Sequence, residues 1–278
     1  MRDSVLTGAA HDAVDDLIFE KLSILRPNRR GRRAVRATEH GSGAAGNPIV
    51  CVGGSHTAAV AAAARRFGEN VRIVNLNAFR KPFLGADGPY RLHRAVIRSI
   101  GTDGRRIFSM VGGNTHNVMG LVRHPRPFDF VLPGEPDLPL DPAAEILPYE
   151  AVKAVLERRA EPILRQIEAL AVRYAGRLSH VESPPPVTEA EILGAPSNFK
   201  DQVQRYGVAP AMLRYRLWRL HTAVIRAFCQ RFDVPFVTVP PESMDRSGFL
   251  LPSLTGNVTH GNAHYGVMVL ARMKAAAA

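Results

Sequence analysis

Three stretches of this chain hold residue types that together can do nucleophilic chemistry on a carbonyl. The first is Val52-Gly53-Gly54-Ser55-His56, a hydroxyl preceded by two small residues that permit a tight turn. The second is Gly112-Gly113-Asn114-Thr115-His116-Asn117, where glycines let backbone approach a ligand and an asparagine amide can donate to an oxyanion without carrying charge. The third is Asn257-Val258-Thr259-His260-Gly261-Asn262-Ala263-His264-Tyr265-Gly266. A histidine with Asp or Asn three residues before it has a partner for its Nδ1–H, which leaves Nε2 free to take a proton from a serine.

Each stretch also has a plainer reading. Ser55 can be a helix N-cap, Gly112 to Asn114 can be a turn, and His116 and Asn117 can line a pocket or close that turn. His264, one turn beyond His260, invites a metal reading, but two histidines without a third ligand at recognisable spacing do not make a zinc site. No metal or cofactor is expected.

The elements that must bring these residues together read as an alternation of strands and helices. Ile49-Val50-Cys51-Val52 is a short apolar run stopped by glycines, as in a buried parallel strand. Thr57 to Phe67 is an alanine-rich helix closed by Gly68. Further strands are expected at 71–76, 107–111, 178–182 and 235–239, with helices at 149–174 and 210–232 and a last helix starting around His260. Such alternation predicts an α/β fold, a mostly parallel sheet with helices on both faces, in which ligands bind beyond the carboxyl ends of the strands. Ser55, Asn114 and His260 all fall at such ends.

Taken together the three stretches resemble the SGNH (GDSL-type) hydrolase superfamily, over roughly Pro48 to the C-terminus. Gly53-Gly54-Ser55-His56 is similar to its first block, Gly112-Gly113-Asn114-Thr115 to its Gly-x-Asn-Asp block, and Asn257-Val258-Thr259-His260 to its Asp-x-x-His block. The resemblance implies a three-layer flavodoxin-like fold with a five-stranded parallel sheet. It implies Ser55 as nucleophile and His260 as general base, oriented by Asn257. Asn114 and the Ser55 N–H would form the oxyanion hole, with Gly54, Gly113 and His56 beside it. Gly85 is the candidate for the second-block glycine, with Gly88 and Gly101 as alternatives. The implied activity is hydrolysis of a small acyl ester through an acyl-enzyme. Transfer of the acyl group to a sugar or other hydroxyl needs the same residues.

Three departures from the family pattern stand out. Gly54 and Thr115 replace aspartates peripheral to proton transfer. Asn257 replaces the catalytic Asp itself, and the analogous change in a serine protease costs about 10⁴-fold in turnover, mainly through the wrong histidine tautomer. A Ser–His dyad, a carboxylate from elsewhere such as Glu242 or Asp245, or a weakened site that only binds are the three outcomes this leaves.

The bulk properties set the frame. At 278 residues, 46% hydrophobic and 22% charged, the chain can bury a full core as one domain. Residues 1–47 read as an appendage ending in a basic, glycine-rich linker, with the hydrolase-like domain over 48–278. The net charge of +11 owes much to six arginines at 26–36. Without a recognition helix, zinc spacing or aromatic RNA-binding signature, these read as a solvated linker and not a nucleic-acid arm. Cys51 and Cys229 read as small core residues. Neither a membrane span nor a secretory signal is recognisable, so the expected address is cytoplasmic. The expected partner is a small-molecule ester, and the oligomeric state is open.

Overall fold

The computed structural model describes residues 37–40, 49–85 and 88–277. The arginine segment 26–36 and most of the expected appendage lie outside the described residues.

Ile49–Gly53 (β2), Val71–Asn75 (β3), Ile107–Met110 (β4), Leu178–Val181 (β5) and Phe236–Val237 (β6) form a parallel sheet, and Ala37–His40 (β1) adds a sixth strand. The order is β1-β3-β2-β4-β5-β6. Leaving β1 aside, the chain order across the sheet is second, first, third, fourth, fifth, the flavodoxin-like arrangement. β2 and β4, in the middle, are buried along their whole length, which is why they read as unbroken apolar runs.

The period of two along β2 divides the core. Ile49 and Cys51 face one cluster, with Ile73, Phe108 and the helices Thr57–Phe67 (α1) and Ala263–Ala277 (α8). Val50 and Val52 face the other, with Val96 of Arg94–Ile100 (α2), Ile167 and Leu170 of Tyr149–Arg173 (α4) and Ile225 of Ala211–Gln230 (α7). Thr115–Gly120 (α3), Glu189–Gly194 (α5) and Lys200–Tyr206 (α6) are short. Cys51 and Cys229 are buried and free, one in each cluster.

The Pro-rich segment between α3 and α4 folds onto a third cluster made by Phe128, Phe130 and Leu132 against Leu156 and Leu217. It is tied down by a buried ion pair. Arg216 donates to both Asp129 carboxylate oxygens at 3.0 and 3.1 Å and to the carbonyls of Leu138 and Pro139, each at 2.7 Å. Phe128, Phe130 and Asp129 of this segment are thus committed to packing and to the pair with Arg216.

Two differences from expectation have physical reasons. β1 falls inside the stretch read as an appendage, and runs antiparallel to β3 with Ala37 opposite Val74 and His40 opposite Val71. Four residues of mixed polarity, Ala37-Thr38-Glu39-His40, carry no periodic signal, and the backbone of the exposed edge selects them. The last helix starts at Ala263, not at His260, because the Asn262 side chain accepts from the backbone N–H of His264 at 2.9 Å and of Tyr265 at 3.2 Å. That cap frees His260 from the helix. Among the described residues no helix is long and apolar enough to cross a membrane.

Candidate active site

Ser55 sits in the turn from β2 to α1. Gly53 has no room for a side chain, since a Cβ would lie 2.6 Å from the Met110 carbonyl oxygen of the neighbouring strand. The chain therefore leaves the sheet with bare backbone and places Ser55 in the open. α1 is capped at His56 without any side-chain bond, so the Ser55 hydroxyl is not spent as an N-cap. Among the described residues no hydrogen bond engages it. Ser55 is the shared wall of two cavities. One, of about 280 Å³, is lined also by Gly54, Asn77, Gly112 and Asn114. The other, of about 270 Å³, is lined also by Asn257, His260 and Asn262.

Asn114 follows β4 through Gly112 and Gly113, whose φ of +86° and +106° favour glycine. Gly113 is further required by its neighbour, because a Cβ there would lie 2.7 Å from His56 Nε2. Asn114 begins α3 without capping it. Its Oδ1 accepts from Asn117 Nδ2 at 3.3 Å, which leaves its own Nδ2 hydrogens for the cavity.

His260 is held in a tight ladder between Thr255–Asn257 and His260–Gly261, in which Asn257 stands opposite His260. The turn is an Asx turn: Asn257 Oδ1 accepts the Thr259 backbone N–H at 3.0 Å. The contacts of His260 Nδ1 are 2.8 Å to Asn257 Oδ1 and 2.7 Å to Thr259 Oγ1. A backbone N–H can only donate, so the Asn257 atom it meets is the carbonyl oxygen, and that oxygen can only accept from Nδ1. Two acceptors 2.8 Å apart would repel, so Nδ1 carries the hydrogen and Nε2 the lone pair. This is the tautomer a general base needs. Among the described residues no carboxylate meets Nδ1, whose partners are Asn257 and Thr259; Asp245 Oδ1 instead accepts the N–H groups of Ser247 and Phe249.

Nε2 of His260 is buried and has no hydrogen-bond partner among the described residues. The structure therefore shows no Ser55–His260 hydrogen bond. The two residues are nevertheless neighbours, lining one cavity, and the ring of His56, next to Ser55, lies 4.5 Å from that of His260 at 31°. Burial pushes the His260 pKa below 6.5, which favours the neutral ring.

His56 lies beneath this surface, 6% exposed, its pKa driven down to about 3 by burial first and then by His260 and His221. Behind it His116 and His221 meet at 5.0 Å between ring centres. Asn117, the other residue of that stretch, holds Asn114. His264 is exposed and lies edge-on to Phe67. Among the described residues no group of three or more His, Cys, Asp or Glu is arranged to hold a metal.

Gly85 lines neither cavity. With φ +98° and the Pro89 carbonyl 2.6 Å from where a Cβ would be, it serves the turn of the small ladder between Phe83–Leu84 and Arg91–Leu92. Gly101 ends α2, and Gly88 offers its carbonyl to Arg165. After β3, Leu76, Asn77 and Pro82 reach the cavity, and of these Asn77 brings a polar side chain, its amide 3.5 Å from the Cβ position of Gly54. An asparagine just past the end of a parallel strand is the signal that could have found it. Gln166, on the same cavity from α4, has no such signal, being one polar residue on a long amphipathic helix.

No family model matches the chain, and no curated protein matches it. Solved structures do. A Bacteroides fragilis protein assigned as an acylhydrolase is 12% identical, with 82% of this chain and 85% of that one covered, at a TM-score of 0.42. A GDSL-like lipase from Bacteroides thetaiotaomicron is 14% identical, with 82% and 86% covered, at 0.39. The aryl esterase of M. smegmatis is 13% identical, with 84% and 100% covered, at 0.30. The roles of residues in this chain rest on its own site geometry.

Proposed function

We propose that the chain is a serine ester hydrolase working through an acyl-enzyme. The observation that carries this reading is that Ser55 separates two cavities, one holding an imidazole in the base tautomer and the other an uncommitted amide donor. His260 Nε2 takes the Ser55 proton as Oγ attacks the ester carbonyl. The oxyanion forms against the Ser55 N–H and Asn114 Nδ2, with the Asn77 amide on the same wall. His260 then protonates the departing alcohol. Water, deprotonated by the same nitrogen, releases the acid. The hydroxyl turns toward Nε2 when substrate fills the cavity, a contact that often closes only in the substrate complex.

Stopped-flow hydrolysis of p-nitrophenyl acetate tests the acyl-enzyme. A burst of about one nitrophenolate per protein, lost in Ser55→Ala, is expected. Turnover that survives Ser55→Ala unchanged contradicts the proposal.

A further inference from the structure

We infer that Thr259 is a positioning residue that lets a neutral asparagine stand in for the usual aspartate of the His260 base. The inference rests on the hydrolase reading above.

A carboxylate presents an acceptor whichever way it is turned. A carboxamide does not: rotated by half a turn, Asn257 would offer Nδ2–H₂ to His260 Nδ1. That donor selects the opposite tautomer, with hydrogen on Nε2, and such a histidine cannot take a proton from serine. Something must therefore hold the amide oxygen toward the ring. Thr259 does so through its backbone N–H, an obligate donor, and its hydroxyl reinforces the result. Its backbone N–H donates to Asn257 Oδ1 at 3.0 Å, and its hydroxyl stands 3.3 Å from the same oxygen. The hydroxyl is also 2.7 Å from His260 Nδ1.

These three contacts have one consistent proton assignment. Thr259 Oγ1–H donates to Asn257 Oδ1, and Nδ1–H of His260 is shared between Asn257 Oδ1 and Thr259 Oγ1. With the amide reversed, the Thr259 backbone N–H, which can only donate, would face an NH₂ group, so the flip is opposed at that contact; in the native orientation the hydroxyl adds a second donor to the amide oxygen. Thr259 is only 8% exposed, which keeps water from substituting for either bond. Thr259 thus touches neither substrate nor nucleophile and acts through Asn257 and the ring.

The test is a double-mutant square of wild type, Thr259→Val, Asn257→Asp and the pair, with Thr259→Ser as the conservative control. Valine keeps the shape and removes the hydroxyl. In the asparagine background Thr259→Val is expected to lower kcat about tenfold, the equivalent of one hydrogen bond, with KM little changed. Thr259→Ser should retain activity. With Asn257→Asp already present the same valine should cost less than about threefold, because a carboxylate has no wrong orientation. Equal losses in both backgrounds, or none in either, overturn the inference.

A second readout is independent of turnover. Imidazole ¹⁵N shifts of His260 should report Nδ1–H in the wild type and a gain of Nε2–H in Thr259→Val. An unchanged tautomer overturns the inference even if activity falls. If the wild type forms no acyl-enzyme at all, the hydrolase reading fails while the shifts still decide the role of Thr259.

Discussion

His260 is depressed in pKa by burial, and the sign of the consequence follows directly. The active form is the neutral ring, so kcat/KM should rise with pH through a midpoint below 6.5 and stay flat above it. A pH–rate profile with an acid limb at or above 6.5 would contradict the environment described for the base. Asn114 gives a second prediction at this scale. Asn114→Ala should lower kcat about 10²- to 10³-fold with a small change in KM, since the donor matters most once charge develops. Steady-state kinetics on p-nitrophenyl acetate separates the two parameters. Ser55, His260 and Asn114 stood out as candidates because each occupies a short block with a recognisable neighbour. Asn77 and the tautomer lock at Thr259 did not, because they depend on which atom of an amide faces which backbone group.

At the level of elements, the site depends on how closely α1 and α8 approach, since α1 follows Ser55 and α8 follows His260. Gly266 marks the contact: a Cβ there would lie 2.2 Å from the Ala59 carbonyl oxygen. Gly266→Ala should therefore push the helices apart and destabilise the fold by about 1–3 kcal/mol, despite alanine's better helix propensity. Urea unfolding checks the sign, and a stabilised variant would show that the helices have slack. Most parallel strands of the core were legible as short apolar-rich runs with glycine or proline just beyond; β3 was legible only by Val71, Ile73 and Val74, since no such residue ends it. β1 was not, being chosen by an open sheet edge and not by its own residues. The start of α8 was misplaced by three residues because Asn262, not His260, caps it.

The molecule as a whole buries more imidazole than its proposed chemistry uses. Burial holds the pKa of His56 and His180 down to about 3, that of His221 to about 4, and that of His116 well below 6.5. The folded chain binds fewer protons at these sites than the unfolded chain. Their stabilising contribution is complete above 6.5 and is lost as pH falls from there toward 3–4. Each group contributes a slope of about 1.4 kcal/mol per pH unit across that window. Denaturation midpoints should fall steeply between pH 6.5 and 5, and His116→Phe should flatten the fall by about one proton's worth. Equal pH dependence in the variant would contradict this. Nothing in sequence marked these rings as a group, since their proximity comes from α3, α7, β5 and the β2–α1 turn meeting in space.

The central claim is that a hydroxyl at the end of β2 is activated by the imidazole of His260. Its most direct test is reaction with a fluorophosphonate followed by intact-mass measurement and peptide mapping, on wild type, Ser55→Ala and His260→Ala. One adduct on Ser55, absent from both variants, is the predicted result. No adduct on the wild type, or one that persists in Ser55→Ala, would contradict the account.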